Sequence, residues 1–196
     1  MLFIFCDIVK IYFTHSRTSF AKGRVTMAIL QICTYPEEIL RHPAEPVTEI
    51  DEEVVKLVEH MAETMYSAPG IGLAATQVGV AKQVLVADIA ARKPESELIV
   101  LINPEIVAAE GEVIFEEGCL SVPDYQAEVK RHEKITVRGL NLKGEEVEIE
   151  AEGLLAIVLQ HEIDHLNGKL FIDRLSKLKR DLYKRRLRKK LAKEQP

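Results

Sequence analysis

Residues 153–168 read GLLAIVLQHEIDHLNG, and the way this stretch folds decides the rest. Leu154, Leu155, Ile157, Val158 and Leu159 would cover most of the circumference of a helix, and such a helix is buried. Glu150 and Glu152 precede it, as acids suit a helix N-terminus, and Asn167-Gly168 follows it as a stop. The spacing therefore predicts a central helix over 153–166. On it His161 and His165, four apart, share one face, and Glu162 sits about 100° around from His161. A solvated polar face fits poorly beside so apolar a run. Two buried imidazoles and a carboxylate without partners would each cost several kcal/mol, so the pattern reads as HExxH, a metal site with a general base beside it.

Outward from this helix, Val54, Leu57, Val58, Met61 and Met65 recur at three and four, marking an amphipathic helix over 51–68 in which His60 is a packing or surface residue. Strand-like runs occupy 83–89, 98–102 and 112–117, and 134–142 pairs with 146–151 as a hairpin around Lys143-Gly144. Strands first and helices at both ends predict an α+β fold, with mixed or antiparallel sheets packed around the central HExxH helix and a C-terminal helix.

The 196 residues, 47% hydrophobic and 29% charged, suit one globular domain. Cys6, Cys33 and Cys119 are odd in number and widely spaced, which argues for a reducing cytosol and leaves a cysteine available as a ligand. Residues 1–26 are aromatic and β-branched. Asp7 and Lys10 break their apolar run, against a signal peptide, and no run is long enough for a membrane span. Met27 reads as a natural start. The expectation is an N-terminal extension over 1–26, an organelle-targeting segment being the alternative, then a catalytic domain over 27–176 and a basic tail over 177–196. The tail holds ten Lys or Arg between Lys177 and Lys193 against Asp181 alone, in a chain of net charge -5. Leu175, Leu178 and Leu182 are expected to dock it, while Leu187 and Leu191 turn away. The distal cluster of Lys184, Arg185, Arg186, Arg188, Lys189, Lys190 and Lys193 is an electrostatic footprint for phosphate backbones.

A catalytic tetrahedral site takes three protein ligands. No histidine follows His165, which leaves Asp173 or Cys119 as the third. Cys119 stands in EEGCLSVP (116–123), where Gly118 and Pro123 suit a rigid ligand loop. In PGIGLAATQVG (69–79), Gly70 and Gly72 allow close backbone approach. No strand-like run leads into it and no phosphate-loop lysine follows, against a nucleotide fold. Gln77 offers a neutral amide that can donate to a developing oxyanion.

GIGLAATQ (70–77), EGCLSVP (117–123) and HEIDH (161–165), in this order, resemble the three motifs of the bacterial peptide deformylases, over about Met27 to Leu178. The resemblance implies a metal held by Cys119, His161 and His165, with Glu162 as acid/base. It implies that Gln77 and the Leu120 N–H hold the formyl oxygen and that Gly72, next to Ile71, pairs with the substrate backbone. The reaction it implies removes the N-formyl group from formylmethionyl peptides and releases formate. The implied metal is Fe2+, with Zn2+, Ni2+ or Co2+ as substitutes, and the implied setting is a cytoplasmic monomer whose tail contacts ribosomal RNA, without a membrane. Ile157 and Leu154, four and seven residues before His161, share its side and are expected to form a pocket for the methionine side chain, with Leu155 and Leu159 left to the core. Tyr125 and Gln126 replace an Arg common near the substrate, and Val158 a Cys; both departures are expected to affect side-chain preference.

Overall fold

The computed structural model describes residues 29–90 and 97–194; the expected extension over 1–26 lies outside the described residues. Its chain order is helix α1 (Glu52–Ser67), strands β1 (Gly72–Ala74), β2 (Val84–Ala87), β3 (Ile99–Glu110), β4 (Val113–Cys119), β5 (Val122–Arg131), β6 (Lys134–Leu140) and β7 (Glu146–Glu152), then α2 (Gly153–Leu166) and α3 (Lys177–Glu194). Five strands form one sheet in the order β1-β2-β3-β6-β7, and β4 with β5 forms a separate hairpin. All these pairings are antiparallel.

The four residues of β2 are all buried because the sheet is covered on both faces. Leu85 and Ala87 join Leu101, Val137 and Ala151 under α2, which contributes Leu155, Ala156, Leu159, Ile163 and Leu166. Val84 and Val86, pointing the other way by the two-residue period, meet Val54, Val58, Met61 and Met65 of α1. The Asp51 carboxylate caps α1 by accepting the Val54 N–H at 2.9 Å.

Three strands, β1, β3 and β5, go beyond the sequence expectation. β3 runs past Ile102 to Glu110 because a bulge absorbs Asn103-Pro104. Asn103 takes a left-handed φ of 52°, and its side chain bonds the Val47 N–H and C=O, both at 2.8 Å, while Pro104 has no N–H to contribute to the ladder. A short strand, β1, also forms inside the glycine motif, where none was expected to lead in.

The tail corrects an expectation. Leu178 and Leu182 stay 70% and 44% exposed, whereas Tyr183 is buried and Leu187 packs with it against Tyr35, Tyr125 and Phe171. Only Leu175 of the expected docking leucines is buried. The receiving surface is a cluster of aromatic rings, and the flat Tyr183 ring matches it. No helix among the described residues is long and apolar enough to cross a membrane.

Gly153 and Gly168 bracket α2 with left-handed φ values of 58° and 69°. A Cβ on Gly168 would meet the Arg41 carbonyl oxygen at 2.6 Å, whereas one on Gly153 meets nothing within 4 Å. Gly153→Ala should therefore cost only the left-handed strain of about 1–2 kcal/mol. Gly168→Ala should cost clearly more in denaturant unfolding, and equal losses would show that the Arg41 backbone yields freely.

Candidate metal centre

α2 carries the two histidines into the interior, where His161, Glu162, Asp164 and His165 are all buried. The β4–β5 hairpin delivers the cysteine. Gly118 pairs with Gln126 but Cys119 pairs with Val122, so Pro123, Asp124 and Tyr125 are looped out and Leu120-Ser121 makes a tight turn. The Cys119 Sγ lies 3.1 Å from His165 Nε2, which is 3.2 Å from His161 Nε2. All three ligand atoms fall within 4.8 Å of one another. Metal–nitrogen arms of about 2.0 Å and a metal–sulfur arm of about 2.3 Å at tetrahedral angles span edges of about 3.3–3.5 Å, so this triad fits a divalent metal. Asp173, the other candidate ligand, is engaged elsewhere: it pairs with Arg41 and accepts the Leu170 N–H at 2.9 Å.

The imidazole of His161 is oriented from behind. Its Nδ1 lies 2.8 Å from Glu117 Oε2, which turns Nε2 toward the other two ligands. Burial opposes charge on His161, but its interactions with Cys119 and Glu117 outweigh it and hold the group well above its ordinary pKa. His165 is pushed well below its ordinary pKa, by burial and then by His161. One positive charge is thus favoured among the three side chains, the place a cation would fill.

Glu117 is itself held. Arg131, fully buried at its guanidinium, donates Nε to Glu117 Oε1 at 2.6 Å, and its Nη1 reaches Asp164 Oδ2 at 2.5 Å. Arg174 closes the chain by gripping Asp164 at 2.6 and 2.7 Å. Burial raises the pKa of Glu117, but the bonds from Arg131 and His161 outweigh it and lower the group to about 2. Sequence reading missed this network. Its one signal is the alternation Tyr125, Ala127, Val129, Arg131 on the inward side of β5, which puts an arginine where the core would expect an apolar residue.

Glu162 borders the triad. Its Oε1 would be 2.4 Å from a Cβ on Gly72, with Val158 Cγ1 at 2.9 Å, so only glycine fits there beside the carboxylate. Its Oε2 is buried without a hydrogen-bond partner among the described residues. Burial, reinforced by Glu117 and opposed by His161, pushes it up to about 7. Gln77 Oε1 accepts the Ala74 N–H at 2.8 Å, which turns Nε2 toward Cys119 Sγ at 3.6 Å and Ser121 Oγ at 3.3 Å. Leu120 follows the cysteine in the turn. Of the expected pocket residues, Ile157 is buried, while Leu154 and Ile71 remain 38% and 37% exposed. Leu155 and Leu159 belong to the core under the sheet. Tyr125 packs its ring against Phe171 and Tyr183.

Glu117→Gln keeps the shape but removes the charge that orients His161. Metal affinity, read by chelator competition, should fall by about 10- to 100-fold. Wild-type affinity would show that the pose of His161 is set elsewhere.

The polypeptide deformylase family model matches residues 29–181. A peptide deformylase of Syntrophobacter fumaroxidans is 59% identical over 165 residues, covering 84% of this chain and 97% of that protein. The crystal structure of a peptide deformylase from Legionella pneumophila superposes with a TM-score of 0.79 at 51% identity, covering 86% of this chain and all of that one. A Met-Ala-Ser-bound class I type b peptide deformylase from Acinetobacter baumannii does so with a TM-score of 0.71 at 37% identity, covering 76% and 99%. The matched span takes in the glycine motif, the cysteine hairpin and the whole of α2, and on likeness this extensive in sequence and in shape the chain belongs to the peptide deformylase family.

Proposed function

We propose that this site hydrolyses the formamide of N-formylmethionyl peptides, with Glu162 as the proton-transfer group and Gln77 and the Leu120 N–H as oxyanion donors. The observation that carries the reading is a buried carboxyl, raised to about 7, beside a Cys-His-His triad. Cys119, His161 and His165 would hold the metal, which when bound acidifies water and polarises a carbonyl. Glu162 takes a proton from the attacking water and returns it to the departing methionine amine. The Gln77 amide, fixed at its oxygen by the Ala74 N–H, would turn its Nε2 donor from Ser121 Oγ to the developing oxyanion.

β1 lies at the edge of the five-stranded sheet, so an extended peptide can add beside it at Gly72, with Ile71 at the rim. Ile157 and Leu154, one and two turns before His161, line the way for the methionine side chain. The Acinetobacter relative binding Met-Ala-Ser supports this substrate class. Ferrous iron is the metal we assign, on the family resemblance; zinc, nickel and cobalt suit the same donors. We assign the enzyme to the cytoplasm, in keeping with three widely spaced cysteines and no CxxC pair.

Glu162→Gln should retain metal while lowering formate release from formyl-Met-Ala-Ser by about 10² to 10⁴. The wild type should lose turnover as pH falls, because the base must be ionised. The cation lowers the pKa of Glu162 from about 7, so this limb lies at or below that pH and should vanish in the variant. Turnover within a few-fold of wild type would assign the base to another residue.

The outer face of α3 exposes Arg185, Arg186, Arg188 and Lys189, and we assign it to ribosomal RNA, where formylated chains emerge. Truncation after Leu182 would also remove the docked Tyr183, so charge reversal is the cleaner test. Replacing Arg185, Arg186 and Lys189 by Glu should weaken ribosome co-sedimentation and flatten its salt dependence, while leaving short-peptide hydrolysis intact. Unchanged, salt-independent binding would end the assignment.

A further inference from the structure

The C-terminal helix touches the metal centre through a line of aromatic rings. The Tyr183 ring of α3 lies 4.6 Å from that of Tyr125, which stacks on Phe171 at 6.0 Å. Phe171 in turn stacks on the His161 imidazole at 6.2 Å with an interplanar angle of 24°. Each separation is within the range at which ring pairs attract. The four rings come from four elements: α3, the looped-out residues of the cysteine hairpin, the 3-10 turn Phe171–Arg174 and α2.

We propose that Tyr183 is a positioning residue for the metal centre, acting through Tyr125 and Phe171 on the His161 ring and through Tyr125 on the Cys119 hairpin. Glu117 holds one edge of the imidazole at Nδ1, and the His165 ring meets it edge-on at 4.9 Å. The near-parallel Phe171 ring, 6.2 Å away, adds a restraint on its tilt. Phe171 is fully buried, and Tyr125 stacks on it at 6.0 Å. Tyr125 sits in the segment looped out of the hairpin, beside Asp124 with its left-handed φ of 60°, and takes no part in the strand register there. What holds it is α3: Tyr183 covers its ring, and Lys190 bonds Asp124 at 2.7 Å. Tyr35 completes the seat, with its ring 6.3 Å from Tyr183 and its N–H on the Ser121 carbonyl at 2.8 Å, two residues from the cysteine.

The ring, and not the hydroxyl, carries this role. Tyr183 is 5% exposed, and its hydroxyl has no hydrogen-bond partner among the described residues. An unpartnered buried hydroxyl works against docking, so removing it should do no harm.

The test uses full-length protein loaded with Co2+, whose thiolate charge-transfer and d–d bands report the ligand geometry. Tyr183→Ala should shift these bands and speed metal loss to a chelator by about tenfold, the effect of losing a group that orients a ligand. Tyr183→Leu keeps apolar volume without a flat ring and should show the same defects if the alanine variant folds poorly. Tyr183→Phe should restore both readouts, with a melting temperature equal to or above that of the wild type. All rates are compared at a temperature where circular dichroism shows each variant folded. Wild-type bands and loss rate in the folded Ala or Leu variant would overturn the proposal, as would a Phe variant as defective as Ala.

Discussion

His161, Glu162, Asp164 and His165 occupy little more than one turn of a helix that is buried on every side, and each loses several kcal/mol of hydration on entering the interior. The surrounding structure can be understood as a set of answers to that cost. Asp164 is answered by Arg131 and Arg174, His161 by Glu117 on one side and Cys119 on the other. His165 stays neutral. Among the described residues His165 Nδ1 and one oxygen of Glu162 have no partner, and Glu162 holds its proton up to about pH 7. Removing one member of a buried ion pair costs about 3–5 kcal/mol, so the buried pairs of Arg131 with Glu117 and Asp164 fix the hairpin against α2 as firmly as apolar packing does, while the half-exposed Arg174 adds a weaker tie from the 3-10 turn.

That network also explains why two sheets are needed. The five-stranded sheet supplies a rigid floor for α2 and, at its edge, the glycine that lets backbone pass beside Glu162. The cysteine comes from the separate β4–β5 hairpin. Its inward face carries Glu117 and Arg131 to the back of His161, while its distorted tip turns the Cys119 sulfur to the front. One hairpin thus provides a metal-facing thiol and the means of orienting a second ligand.

Much of this was legible in the sequence where the signal is local. HExxH within an apolar run, the Gly-Cys turn and the glutamine after the glycine motif each state their chemistry within a few residues, and the structure brings all three together. β1 was hidden because three residues cannot show an alternation, and β5 because Pro123 and the left-handed Asp124 interrupt it. The ionic network was hidden for a different reason: Arg131 meets Glu117 across 14 residues and Asp164 across 33, so nothing nearby announces the pairing. The docking face of α3 departs from its leucine spacing, since Leu178 and Leu182 stay exposed while Tyr183 is buried. The surface it meets is aromatic, and Tyr183 fits it better than Leu178 or Leu182.

Two carboxylates flank His161, and the structure drives them apart. Glu117 receives an arginine and the imidazole, and is lowered to about 2 despite its burial; Glu162 receives burial and the repulsion of Glu117, and is raised to about 7. At neutral pH the first is permanently ionised and can only accept, which suits a group that must hold a histidine in one pose. The second can gain or lose a proton at little cost, which suits a group that must do both within a turnover. The two roles are therefore assigned by Arg131, whose guanidinium binds Glu117 bidentately at 2.6 and 2.9 Å and is spatially committed to it and to Asp164. Were that cation placed against Glu162 instead, the base would be pinned in its ionised form and could not return a proton to the leaving amine.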